Sequence, residues 1–332
     1  MDVVQENSVG QLEDAGFYPK DDRNLPRPSL RNGSSFDSLR LSWRFAGSSR
    51  SMEGTKGLTV SFGVQLNMLL QREINNIRRN TASLKARFGL TMFMSSLIGL
   101  ISLGVGSSDL SDSGNLNSVF GGLMMAALTN VFTTVLPSLL PFPEERPVFL
   151  REYSTSHYSV FAYFLSKLAV EITITGAQVL LSCMLTYLMI DFSQPFGTYF
   201  LSIYLLAMCS TALGMMVGCI VNEPAVAFEF LPPIFVPQIL FAGFFVRPDL
   251  IPVWLRWLRY VFALTYTVRI LLIKEFDGNC EDAPDLKNPC QQVLDDVEAD
   301  PDEEWWYWLV LIVLFICFRL VALTILRSRA RF

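Results

Sequence analysis

The sequence predicts an all-α, polytopic membrane protein, and three observations carry that prediction. Of 332 residues, 51% are hydrophobic and only 17% charged, with a mean hydropathy of +0.37. That is more apolar than an ordinary soluble domain. Apolar runs of about 20 residues, the length that crosses a bilayer, recur along the chain. The charges collect in the connectors, acids near 281–304 and bases near 72–87 and 326–331.

Residues 1–57 are rich in Ser, Gly, Asn, Asp and Arg and are expected to form a disordered cytosolic tail, with no apolar core of a signal peptide. The membrane domain is expected to occupy 58–332. It opens with "VQLNMLLQREINNIRRNTASLKAR" (64–87), where Val64, Leu66, Leu69, Leu70, Ile74 and Ile77 recur at helical spacing and the bases gather toward the end. This pattern predicts an amphipathic helix lying on the cytosolic membrane face. Six spans follow, near 87–106, 118–142, 161–190, 198–221, 225–245 and 305–326.

The Lys/Arg bias of the connectors orients them. Arg72, Arg78, Arg79, Lys85 and Arg87 precede the first span and mark the cytosolic side; "SSDLSDSGNLN" and "DFSQPFGT" carry no base and are external. The segment after the second span, "PFPEERPVFLREYSTSHYSVFAYFLSK", holds Arg146 and Arg151 and is cytosolic, as is the basic tail "RSRAR". Both termini are therefore expected inside. Residues 250–272 are long enough to cross, but Arg256, Arg259 and Arg269 would each cost about 2.5–3.5 kcal/mol at a helix centre. Trp254, Trp257 and Tyr260 suit headgroup depth instead, so 247–273 is read as an external re-entrant or interfacial hairpin within an external loop, 246–304.

The chemistry of the chain is that of a membrane module. It has no G-x-x-x-x-G-K-[ST] phosphate loop, no HExxH, no CxxC and no nucleophile elbow. One histidine, His157, rules out a His-rich metal site, and a net charge of −5 does not suggest nucleic-acid binding. Four cysteines (Cys183, Cys209, Cys219, Cys317) fall in apolar runs and read as packing residues, whereas Cys280 and Cys290 share a polar external loop and can pair, within the chain or between protomers. Polar residues inside spans are costly in lipid and therefore candidates for function. Glu171 is expected to face a cavity or a partner arginine, or to sit structurally paired near the headgroups. Glu229 is expected at the interface, and Arg319 is expected to snorkel to the cytosolic surface. Pro232, Pro233 and Pro237 predict a bent fifth span whose end, "FAGFFV", could form an apolar gate.

In order, these parts resemble the membrane domain of the G subfamily of ATP-binding-cassette transporters, the White-type half-transporters, from about residue 60 to 327. Glu145, Phe149, Glu152, Tyr153, Tyr158, Tyr163, Phe164 and Lys167 match the family's Glu-x-x-x-Phe-x-x-Glu-Tyr…Tyr…Tyr-Phe-x-x-Lys coupling segment. "FAGFFV…IPVWLRWLRY" and "KEFDGNC…NPC" match its next two motifs, and Arg72 matches the arginine of its connecting helix.

The resemblance implies that Arg72, Glu145, Arg146, Phe149, Arg151, Glu152 and Tyr153 couple the spans to a nucleotide-binding domain. It implies that Asn130, Phe132 and Phe235 line a substrate cavity on a two-fold axis, with Phe244 and Phe245 as its plug, and that Cys280 and Cys290 form a disulfide. The chain itself holds no cofactor; ATP and magnesium would belong to a separate ATPase domain, which in this subfamily precedes the membrane domain and whose motifs are not found here. Expected partners are that ATPase domain, a second membrane domain, membrane lipid and a hydrophobic small molecule. The leading expectation is the membrane half of an ATP-driven exporter of lipids, sterols or other hydrophobic compounds. The alternative is a non-transporting partner that dimerises with and regulates full-length relatives.

Overall fold

A computed structural model describes residues 61–107, 113–141, 160–221, 224–246, 251–279 and 287–329, all within one compact unit, Val60–Phe332. The N-terminal tail, the predicted coupling segment from Glu145 to Tyr153, His157 and Cys280 lie outside the described residues.

Among the described residues the chain is helical throughout: α1 (Phe62–Arg79), α2 (Thr81–Ile101), α3 (Ser113–Leu139), α4 (Val160–Ile190), α5 (Phe196–Ile220), α6 (Pro224–Glu229), α7 (Leu231–Phe241), α8 (Ala263–Asn279), α9 (Lys287–Asp296) and α10 (Glu304–Arg329). Short 3-10 turns span Arg256–Val261 and Pro301–Glu303. Five of these helices, α2, α3, α4, α5 and α10, are long and apolar enough to cross a membrane. The chain is an integral membrane protein.

The helix expected over 64–87 divides at Asn80. α1 ends at Arg79, and the Asn80 carboxamide oxygen accepts from the Ser83 N–H at 3.3 Å, capping α2. A short polar side chain competes for backbone donors, so it ends one helix and starts the next. The first span therefore begins at Thr81, six residues before its expected start.

The fifth expected span, 225–245, is two short helices, α6 and α7, broken at Phe230, beside the prolines from which the sequence predicts a bend. Pro232 and Pro233 lie in the first turn of α7, where a missing N–H costs no intrahelical bond. Residues 251–279 form the 3-10 turn and the buried helix α8. With 17 residues, α8 rises about 25 Å, short of the ~30 Å hydrocarbon core.

Burial sets the order of the layers. α3 and α5 bury 72% of their apolar windows, against 17%, 28% and 28% for α2, α4 and α10. α5 packs chiefly on α3 and α10, α4 on α1 and α2, and α8 on α10, α5 and α3. The α3–α5 contact is close because Gly214 faces Val135; a Cβ on Gly214 would lie 2.9 Å from a Val135 methyl and 3.0 Å from its carbonyl oxygen.

Candidate functional site

α4 carries a row of polar residues, Glu171, Thr175, Gln178, Ser182 and Thr186, spaced four, three, four and four apart. That spacing puts them on one face of the helix. Each meets a partner on another helix, and the partners run along the bundle in register.

At the basic end, Glu171 accepts from Arg319 of α10 at 2.6 Å and from the Ser138 hydroxyl of α3 at 2.8 Å. Arg319 also donates to Thr211 of α5 at 3.2 Å and lies 5.4 Å from the Phe315 ring centroid. One turn on, Arg87 of α2 donates to Gln178 Oε1 and to the Thr175 hydroxyl at 2.9 Å. Gln178 in turn donates to Thr91 at 2.7 Å and to the Thr133 carbonyl at 3.0 Å. Further along, Ser182 pairs with Ser95 at 2.7 Å, and Thr186 with the Tyr199 hydroxyl at 2.9 Å. The α2 partners Arg87, Thr91 and Ser95 form a matching row, four residues apart.

Without competing water, such bonds couple helices whose apolar surfaces would pack equally well against lipid. The ladder joins α2, α3, α4, α5 and α10. Arg319 does not snorkel as expected: it is 4% exposed and paired. Glu171 has the arginine partner that the sequence proposed for it.

Arg72 is half-exposed beside Glu73, 3.9 Å away. The buried Glu73 takes Lys167 of α4 at 3.1 Å, pinning α1 to the first turns of α4.

The remaining predicted residues lie on α3, on α7 and in the turn that follows α7. Phe132 is 40% exposed and packs on Phe235 at 5.4 Å between ring centroids, while Phe235 is 2% exposed and enclosed. Asn130 is fully buried; its amide donates to Ala126 O, and its carbonyl oxygen has no partner among the described residues. Phe244 packs edge-on against both Phe245 and Phe120, at 5.0 Å and 5.1 Å, with Phe245 56% exposed. Phe228, Phe230, Val236 and Leu240, along α6 and α7, are also exposed. Gly243 holds the turn before the Phe pair at φ +89°, and a Cβ there would press on Val297 at 3.1 Å. Phe132 and Phe245 are thus open aromatic residues, whereas Asn130 and Phe235 are enclosed.

At the opposite end, Glu275 of α8 accepts from the backbone N–H of Ser193 at 2.9 Å and of Gln194 at 3.3 Å. Burial pushes its carboxyl up from the ordinary value, and these N–H donors oppose that shift. Glu298 clasps Arg259 and Arg269, the second at 3.5 Å. Cys290 is buried and disulfide-bonded; its expected partner Cys280 lies outside the described residues. The described residues hold no His/Cys/Asp/Glu group suited to a metal ion.

Sequence reasoning missed the ladder beyond Glu171. The signal was present as polar rows at helical spacing, i, i+4, i+8 on α2 and i, i+4, i+7, i+11 on α4, but each Ser, Thr or Gln alone is a common span residue. The Glu73–Lys167 contact left no such signal, because its members are far apart in the chain.

Residues 64–276 match the ABC-2 type transporter model. The chain is 28% identical over 282 residues to "Protein white" of Drosophila melanogaster, covering 81% of this chain and 40% of that protein. It is 24% identical over 296 residues to "ABC transporter G family member 1" of Dictyostelium discoideum, covering 84% and 36%. It is 27% identical over 247 residues to the "Broad substrate specificity ATP-binding cassette transporter ABCG2" of Rattus norvegicus, covering 73% and 36%. The chain thus spans two fifths or less of the length of these relatives.

Proposed function

Since the chain belongs to the ABC-2 type transporter family, we propose that it is the membrane half of an ATP-driven exporter of hydrophobic compounds, lipids or sterols among them. ATP and magnesium would act on a nucleotide-binding domain outside these 332 residues. By the Lys/Arg bias, the basic end with α1 and the 142–159 segment faces the cytosol and both termini lie inside.

One observation carries the reading: α3 joins the ladder to an open aromatic residue. It exposes Phe132 on one side and, six residues on, donates from Ser138 to Glu171 of α4. α4 is also the helix that follows the predicted coupling segment and holds α1 through Lys167. A displacement of that segment by an ATPase would move α4, and the Glu171–Ser138 bond would pass it to the helix carrying Phe132. Two copies facing through Phe132 and the α7 surface would enclose an apolar cavity, with Phe244 and Phe245 closing it toward the outside. Arg72, Glu145, Arg146, Phe149, Arg151, Glu152 and Tyr153 are assigned to the ATPase contact, and Asn130 and Phe235 support the cavity wall from behind.

The test is reconstitution with a G-subfamily nucleotide-binding subunit in liposomes and measurement of ATP-dependent efflux of a fluorescent hydrophobic compound. Efflux that requires both ATP and the 142–159 segment is expected. No nucleotide-dependent efflux in any pairing, with folding verified, overturns the proposal. Co-purification with a full-length relative without any gain in efflux or ATPase activity selects the regulatory alternative.

A further inference from the structure

The basic end of the bundle contains a cavity of about 630 Å³ where α1, α2, α3 and α4 meet. This lies within the ~300–1,000 Å³ range of small-molecule sites. Its wall is divided in character: Glu73, Arg87, Lys167 and Glu171 are charged, while Leu84, Phe164 and Ile174 are apolar.

The wall also carries the carboxylates of Glu73 and Glu171, and Glu171 acts on the charge of Arg87, but each carboxylate makes its direct ion pair with another cation. Glu73 takes Lys167 at 3.1 Å, and Glu171 takes Arg319 at 2.6 Å. Arg87 receives only neutral acceptors, Gln178 and Thr175, through Nε and Nη2. Its Nη1 has no hydrogen-bond partner among the described residues, so one guanidinium edge remains available for an anion. Gln178 and Thr175 hold the planar group in place. A fixed guanidinium edge matches two phosphate oxygens, which the point charge of a lysine does not.

The cavity belongs to an integral membrane chain and combines this cation with an apolar wall. We propose that it binds one glycerophospholipid, with the phosphodiester on Arg87 and the acyl portion along Leu84, Phe164 and Ile174. This is a resident lipid on the periphery of the protomer, separate from the aromatic residues assigned to cargo. The inference needs only that the chain sits in a membrane, so it can fail or stand independently of transport.

The test is native mass spectrometry of the full chain released from nanodiscs of phosphatidylcholine. Wild type should retain one phosphatidylcholine per protomer through detergent washing. R87Q, which removes the cation, should lower its occupancy about tenfold, equivalent to about 1.4 kcal/mol. L84W, which fills the cavity and keeps Arg87, should lower it comparably. G89A should retain the lipid, because nothing lies within 4 Å of a Cβ there. Thermal unfolding in detergent checks that each variant folds, and L84W decides if R87Q does not fold. Undiminished phosphatidylcholine in a folded R87Q or L84W overturns the proposal. Arg87-dependent stabilisation by inorganic phosphate equal to that by phosphatidylcholine also overturns it, in favour of a soluble anion site.

Discussion

Arg319 and Glu171, 148 residues apart in the chain, meet at 2.6 Å with side chains only 5% and 11% exposed. Removing one member leaves a desolvated charge, which costs about 3–5 kcal/mol, whereas apolar replacement of both is often near neutral. R319M and E171L should each lower the thermal unfolding midpoint in detergent sharply. The double variant should unfold at a higher temperature than either single variant. A double variant as unstable as the sum of the two would show that the pair is not the coupled unit inferred from the geometry.

Gly214 is a point of close contact between the two most buried long helices, α5 and α3. G214A must displace Val135 or separate α3 from α5, and overpacking of this kind costs about 1–3 kcal/mol. V135A should recover only part of the loss, because the Val135 carbonyl oxygen would remain 3.0 Å from the new Cβ. Unfolding midpoints of the single and double variants check both statements.

Glu275 lies outside the five long helices, and burial raises its folded-state pKa above the unfolded value. The folded protein therefore holds the proton more tightly than the unfolded chain. The associated stability is fully present below the ordinary carboxyl value of 4.5 and is lost as pH rises through the folded pKa. Unfolding midpoints should fall with rising pH across that window in the wild type, and E275Q should flatten the slope. An unchanged slope in E275Q would assign the pH dependence to other groups.

Lys167 is the main counter-charge of the buried Glu73. K167M should loosen α1 from α4 without unfolding the bundle. Losing a charge-assisted bond of about 1.5 kcal/mol predicts roughly tenfold faster amide hydrogen exchange confined to 62–79. Acceleration spread evenly across α4 and α5 would instead indicate global destabilisation.

If the open aromatic residues contact cargo, F132A should weaken half-saturation for a hydrophobic compound by about 1.5–3 kcal/mol, the value of a buried phenylalanine. F245A, at the proposed plug, should instead raise leak in the absence of ATP. Concentration-dependent efflux and nucleotide-free leak, measured in the same liposomes, separate the two roles.

Several features were legible before any coordinates. The amphipathic α1 and the long apolar helices follow from periodicity and length, which depend only on neighbouring residues. Three arginines in 250–272 argued against a further span, and α8 is indeed too short for one. The end of α1 was misplaced because Asn80 continues an otherwise helical pattern, and only its carboxamide bond to Ser83 reveals the cap. The bend of the fifth expected span was legible from its prolines, whereas its place at Phe230 is fixed by the backbone hydrogen bonding of the two short helices.

What the sequence determined by itself was the class of solvent the chain must meet, the helical periods that suit it, and the motifs that mark its family. Only the tertiary structure decided which polar groups meet. Arg319 could as well have reached for water as for Glu171, and Arg87 could have taken a carboxylate rather than Gln178 and Thr175. The physical reason is that helix formation follows from local spacing, whereas the partner of a buried charge depends on which helices pack together, and that is set by close contacts such as Gly214 on Val135, 79 residues away in the chain.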